Sequence, residues 1–235
     1  MKILSVSDDA KTVKGEPFGW LTGVVYLAPH KLAGGPNICP FASPQCIELC
    51  LNTSGRGQFN AVQQSRIAKT RFFHNHKRDF LQQLLGELTV FEVTARRRNL
   101  RPCVRLNGTS DIKWESIPVF DGKSIIELFP RVQFYDYTKS PVRMERQQKG
   151  DGWLSNYYLT FSRSEHNEAT VRKVMASGGN VSVVFNATPP ARWNGFAVID
   201  GDQNDLRFLD PRGVIVGLKA KGSARKATEG FVVHT

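Results

Sequence analysis

Through its second half the chain alternates short runs of β-branched and aromatic residues with stretches of helical character. That rhythm constrains the fold more than any other feature. The runs lie at 103–108, 132–138, 157–162, 180–186, 196–200 and 214–218. Helical stretches at about 124–129, 142–148 and 165–176 fall between several of them. Ser164 is placed to cap the last of these, and Gly178-Gly179 to end it. Strand, helix, strand in repetition predicts a parallel sheet. An earlier apolar run at 23–29, closed by Pro29, brings the strands to about seven. The expected fold class is therefore α/β: a partial or closed β/α barrel with mostly parallel strands.

Two helices are expected between the first strand and the second. The segment 58–77 carries Val62, Ile67 and Phe72 among polar residues. The segment 78–98 carries Phe80, Leu81, Leu84, Leu85, Leu88 and Phe91, a 3.6-residue stripe. It ends in Arg96-Arg97-Arg98, which suits the negative end of a helix. A chain of 235 residues matches one α/β domain, expected over 1–222 with an irregular start at 1–20. Residues 223–235 read as a tail.

The first expected strand runs into the most reactive segment of the chain. Cys39, Cys46 and Cys50 lie in a loop after it, with six and then three residues between them. Pro40 and Pro44 keep the first part of this segment out of a helix. From Cys46 a helical turn would put Cys46 and Cys50 on one face. Close thiols in a chain with no sign of an oxidising compartment suggest metal or redox chemistry rather than disulfides. Zinc would need a fourth ligand from elsewhere, with His30, His74, His76 and Cys103 available. A four-iron cluster would use three thiolates and keep one iron open, the arrangement that binds S-adenosylmethionine. Cys103, alone on a strand, reads as packing.

In a parallel α/β sheet the site forms at the carboxyl ends of the strands. The residues expected there are polar. Asn107, Gly108, Ser110, Asp111 and Asp136 are candidates for a cofactor's amino-acid and ribose groups. Arg105, Tyr137, Arg163, Asn186, Asp200 and Lys219 are candidates for substrate contact. No catalytic residue stands out. The run 200–205 lacks the glycine and the distal glutamate of a calcium loop. The chain has no phosphate loop and no nucleophile elbow.

Lysine and arginine number 32 against 21 aspartates and glutamates, a net charge of +11. Such an excess favours an anionic partner, nucleic acid or nucleotide being the commonest. No run is long and apolar enough to span a membrane, and acid at Asp8 and Asp9 comes too early for a signal peptide. A cytoplasmic location is expected.

Taken together, a strand leading into a three-cysteine loop and then further β/α units resembles the radical S-adenosylmethionine superfamily. The run Cys39-Pro40, Cys46, Cys50, the small-residue turn from Asn52 to Gly57 and the helical Arg66-Ile67-Ala68-Lys69 resemble the gene-product-88-like bacteriophage family. That resemblance covers about residues 20 to 222 and implies several things. The fold would be a partial barrel, with a four-iron cluster on Cys39, Cys46 and Cys50 and S-adenosylmethionine on the open iron. The protein would act in the cytoplasm of a phage's host. The alternative is a zinc-stabilised nucleic-acid-binding protein without radical chemistry.

Overall fold

A computed structural model describes residues 1–7, 13–228 and 230–235. Part of the start expected to be irregular, 8–12, lies outside the described residues. Strand β1 (Leu4–Val6) and strand β2 (Trp20–Val25) open the chain. A short helix α1 (Pro44–Glu48) follows, then the longer helices α2 (Asn60–Asn75) and α3 (Lys77–Arg97). Next come β3 (Arg101–Arg105), a small hairpin of β4 (Pro118–Phe120) and β5 (Lys123–Ser124), and α4 (Ile125–Leu128). The chain continues with β6 (Gln133–Thr138), α5 (Pro141–Lys149), β7 (Tyr157–Ser162), α6 (Glu168–Ala176) and β8 (Val181–Phe185). It ends with β9 (Arg192–Trp193), β10 (Phe196–Asp200), β11 (Ile215–Lys219) and β12 (Val232–Val233).

One large sheet runs in the order β1-β2-β3-β6-β7-β8-β11-β10-β9. Every neighbouring pair from β2 through to β10 is parallel. The order follows the chain closely, as winding strand by strand requires. The sheet does not close into a barrel. Its flanks are finished instead by antiparallel strands, β1 on β2 and β9 on β10, which take up the edge hydrogen bonds that closure would use. The partial barrel is thus an open sheet, and the closed alternative is set aside.

The residues expected as a tail are built into this sheet. β12 pairs with the carboxyl half of β8, at Val184 and Phe185, while β7 pairs with the amino half at Val181 and Ser182. The end of the chain therefore wedges in where β7 and β8 diverge.

Alternation along the strands separates two environments. On one face Leu21, Val104, Phe134, Leu159, Phe161 and Val183 meet the helices, including Leu84, Leu88, Phe91 and Met144. Each such apolar side chain removed from water stabilises the fold by about 1.5–3 kcal/mol. The opposite face carries Trp20, Cys103, Tyr135 and Tyr158, covered by Leu206 and Phe208 from the β10–β11 connection. Local signals set the helix ends. Ser124 and Glu127 form a capping box on α4, and Ser140 caps α5 ahead of Pro141. Gly150, at φ 71°, closes α5 in a conformation that costs other residues dearly.

Candidate metal centre at the carboxyl rim

The segment that carries the three cysteines leaves β2 and crosses the carboxyl ends of the strands. Specific bonds hold it there. Ser43 caps α1 and donates to Glu165 Oε2 at 2.7 Å, and the Gln45 amide donates to Glu165 Oε1 at 3.0 Å. Gln45 Oε1 accepts from the Phe231 amide at 2.6 Å, tying the loop to the chain's end. Farther on, the buried Asn52 accepts from Arg66 Nη1 on both its backbone and side-chain oxygens, at 3.0 and 2.7 Å. A Cβ on Gly57 would sit 2.2 Å from the Asn52 carbonyl oxygen, so this turn admits only glycine.

Cys39, Cys46 and Cys50 are all half-buried and reduced. The His30 amide donates to Cys39 Sγ at 3.3 Å. Burial pushes the Cys39 thiol up to about 12, against that amide, with the Cys50 thiol, the Asp111 carboxylate and the Cys46 thiol adding to the rise. Burial likewise raises Cys50, opposed by the Asn52 amide and by the charges of Lys139 and Arg66. Each thiol therefore lies within electrostatic reach of the other two. Lys139 Nζ donates to Ser162 Oγ at 2.7 Å and stands 5.3 Å from the centre of the Phe231 ring. Arg66 stacks on Tyr26 at 4.9 Å. The donor set fits a soft, thiophilic metal: sulfur ligands, N–H groups aimed at two of them, and cations to offset thiolate charge. The side chains as they stand are not gathered on one point. Among the described residues no group of three or more His, Cys, Asp and Glu converges as a metal site.

The residues expected to hold a cofactor have other partners. Asn107 donates from its amide and Nδ2 to Asp136, and its Oδ1 accepts from Ser110, Ile112 and Trp114. Asp111 accepts from Thr138, the Lys139 amide and Arg143. Asp136 is fully buried and also accepts from Tyr157 Oη at 2.8 Å. Burial raises its carboxyl to about 7, against the Asn107 amide and the charges of Arg105 and Arg143. Gly108 lies against β2, where a Cβ would meet Tyr26 and Val24 at 2.7 Å. These residues brace the sheet against α5, with Arg143 at the centre.

The substrate candidates divide. Arg105 and Tyr137 meet on the face away from the helices, with the guanidinium 4.6 Å from the ring centre. Arg163 donates to the Gly230 and Phe231 carbonyls and to Glu168, so it anchors the chain's end. Asn186 does the same through Val233 and Thr235. Asp200 accepts from the Asp202 amide in a local turn, and the Lys219 amide donates to Asp202. Both lie exposed at the β10–β11 flank. Cys103 is buried, 3.4 Å from Thr22 Oγ1, as packing requires. Sequence reasoning missed Lys139 beside Cys50, and had Arg66 only as part of the family run. It also missed Asp205 and Arg207, which face Arg105 and Tyr137.

Fold and site together define an open, mostly parallel α/β sheet with a thiol-bearing segment across its carboxyl rim. The chain belongs to the gene product 88 family, whose model matches residues 2–235. That membership associates it with bacteriophage gene products. No curated protein and no solved structure matches it. No described helix is long and apolar enough to cross a membrane.

Proposed function

We propose that this chain is an iron–sulfur protein of the S-adenosylmethionine-dependent type, with Cys39, Cys46 and Cys50 as the cluster's protein ligands. One observation carries the reading. Three thiols share the carboxyl rim of a parallel sheet within electrostatic reach of one another, with backbone N–H donors on Cys39 and Cys50, and with Lys139 and Arg66 beside Cys50. Hydrogen bonds to sulfur and nearby cations are the means by which a protein stabilises such a cluster. When bound, a four-iron cluster with one open iron supplies one-electron reduction of a sulfonium cofactor. The chain's own residues do the remaining work. Ser43, Gln45 and Glu165 position the loop, and Arg66 with Asn52 holds its far end. Lys139 offsets thiolate charge, and the apolar packing of Leu49, Val184 and Phe231 keeps water from beneath the loop. A net charge of +11 supports an anionic substrate, a nucleotide or nucleic acid.

Anaerobic purification with iron, sulfide and zinc analysis tests this directly, with the triple variant Cys39→Ala, Cys46→Ala, Cys50→Ala alongside. The expected result is a brown protein with about four irons per chain, lost in the variant. Adenosylmethionine cleavage would then be measured on the reduced protein. A colourless protein that takes one zinc and no iron after reconstitution overturns the reading, and points to the zinc-stabilised nucleic-acid-binding alternative.

A further inference from the structure

The connection from β10 to β11, residues 201–214, does not loop out into solvent. It turns back over the face of the sheet away from the helices, and Arg207–Leu209 packs against β6 and β7. It brings charge with it. Asp205 Oδ2 accepts from Arg105 Nη1 at 3.0 Å, and Tyr137 Oη lies 3.5 Å from Oδ1. Arg207, 1% exposed, donates from Nη2 to the Asn204 carbonyl at 2.6 Å and pairs through Nη1 with Asp210 at 3.3 Å.

Buried donors are left over on this face. Arg105 Nε, Arg207 Nε, Tyr135 Oη and Thr160 Oγ1 have no hydrogen-bond partner among the described residues. Their residues are 5%, 1%, 0% and 0% exposed. The placement is common to all four. Tyr135 and Tyr137 sit on one face of β6, and Thr160 on β7 is the register partner of Tyr137. The charges of Asp205, Arg207, Arg105 and Asp210 all reach the Tyr137 hydroxyl. Buried polar atoms are nearly always paired, and an unmade bond there costs about 1–3 kcal/mol. Arg207 Nη1 and Asp210 Oδ2 make no hydrogen bond either, but stand 3.3 Å apart as an ion pair and so answer each other; the four atoms left over can all donate, which signals a shortage of acceptors. An oxyanion supplies several acceptor lone pairs at once, and guanidinium groups recognise it best.

We propose that the face of the sheet under the 201–214 strap is an oxyanion-binding site, formed by Arg105, Arg207, Tyr135, Tyr137 and Thr160. The Asp205 carboxylate occupies the Arg105–Tyr137 corner of it as an internal stand-in. The ligand class is a carboxylate or phosphate group of a small molecule. Its entry displaces Asp205 from Arg105 and loosens the strap. The site is separate from the cysteines, so the triple cysteine variant is expected to keep it.

The test titrates the full chain with inorganic phosphate and with acetate, against chloride at matched ionic strength. Thermal midpoint is one readout. Tryptophan fluorescence is the other, because Trp20 packs edge-on to Phe208 of the strap at 4.7 Å. Phosphate or acetate is expected to raise the midpoint and change the emission where chloride does not, and the effective arm identifies the group. Asp205→Asn removes the internal competitor and is expected to bind about tenfold more tightly, the equivalent of one lost charge-assisted bond. Thr160→Val and Tyr135→Phe, which retain every bond seen in the free protein, are expected to fold normally and weaken the response. They carry the test if Asp205→Asn does not fold. Equal responses to all three salts overturn the proposal. So does an anion response that Thr160→Val and Tyr135→Phe leave unchanged.

Discussion

Two buried arginines, on opposite faces of the same sheet, live under different rules. Arg143, between the sheet and α5, has every nitrogen engaged. Its Nε and Nη2 grip Glu115 at 2.8 and 3.0 Å, Nη1 meets Asp111 at 2.7 Å, and Nη2 also reaches Tyr157 at 2.7 Å. Arg207, equally buried, pairs with Asp210 and the Asn204 carbonyl but leaves Nε without a partner among the described residues. The tyrosines repeat the contrast. Tyr157 Oη both accepts from Arg143 and donates to Asp136, whereas Tyr135 Oη has no partner among the described residues. A closed network has a geometry that only folding needs. An open one, at equal burial, has bonds still to make. The difference separates architecture from a binding surface more sharply than residue type does, because both faces use the same arginines, tyrosines and aspartates.

The comparison breaks most visibly at Arg143. Arg143→Met removes the only cation paired with Glu115 and Asp111 among the described residues, both of them largely buried. Removing one side of a buried ion pair costs about 3–5 kcal/mol, so this variant is expected to lose a large part of its stability in urea unfolding. A loss below about 1 kcal/mol would make the network no tighter than a surface pair. Arg207→Met, with fewer bonds to lose, is expected to cost clearly less.

Asp136 sharpens the same point through pH. Its folded value is raised to about 7 from an ordinary 3.8, chiefly by burial. Below the ordinary value the carboxyl is neutral whether the chain is folded or not. As pH rises from there, the unfolded chain releases a proton that the folded chain keeps. The stability tied to this group is therefore fully present below 3.8 and is lost as pH climbs to about 7. Asp136→Asn is expected to flatten the fall in unfolding free energy across that window. Parallel slopes in the two proteins would mean that Asp136 is ionised throughout it.

Much of the architecture was legible in the sequence, for reasons tied to particular residues. β6, β7 and β8 fall on the runs at 132–138, 157–162 and 180–186, because period-two alternation with β-branched and aromatic residues is a local signal. The first strand was misplaced. β2 is Trp20–Val25, and the apolar Leu27 and Ala28 are buried as loop. β1, β9 and β12, of two or three residues each, gave no signal, since a short edge strand exists only through its partner. Whether the sheet closes depends on those same edges, so closure was not legible either. At the site, residue types were readable and their partners were not. Asn107, Asp111 and Asp136 suggested ligand contact, but the sequence could not show that Arg143, from a later helix, pairs with Asp111, or that Asn107 and Tyr157 bond Asp136. Arg105 and Tyr137 were named without Asp205, which arrives from about 100 residues farther along the chain, in a run that resembled a failed calcium loop.

The finest form of the comparison takes one oxygen from each face. Tyr157→Phe removes a hydroxyl that bridges Arg143 and Asp136, leaving a buried carboxyl and a guanidinium each short of a bond. Such a deletion costs about 1–3 kcal/mol. Tyr135→Phe removes a hydroxyl with no partner while its ring keeps its packing on Phe208 at 5.4 Å. Its expected cost is about zero or a slight gain, because an unpaired buried hydroxyl has already lost water without recompense. Both substitutions delete the same atom from fully buried tyrosines, so volume and hydrophobicity cancel in the comparison. Urea unfolding of the pair, without added anion, isolates the hydrogen bonds. If the two variants lose the same stability, the faces do not differ in the way argued, and the Tyr135 hydroxyl is as architectural as that of Tyr157. If only Tyr157→Phe is destabilised, the Tyr135 hydroxyl brings no benefit to the free fold, as expected of a group that serves whatever binds beside Arg105 and Arg207.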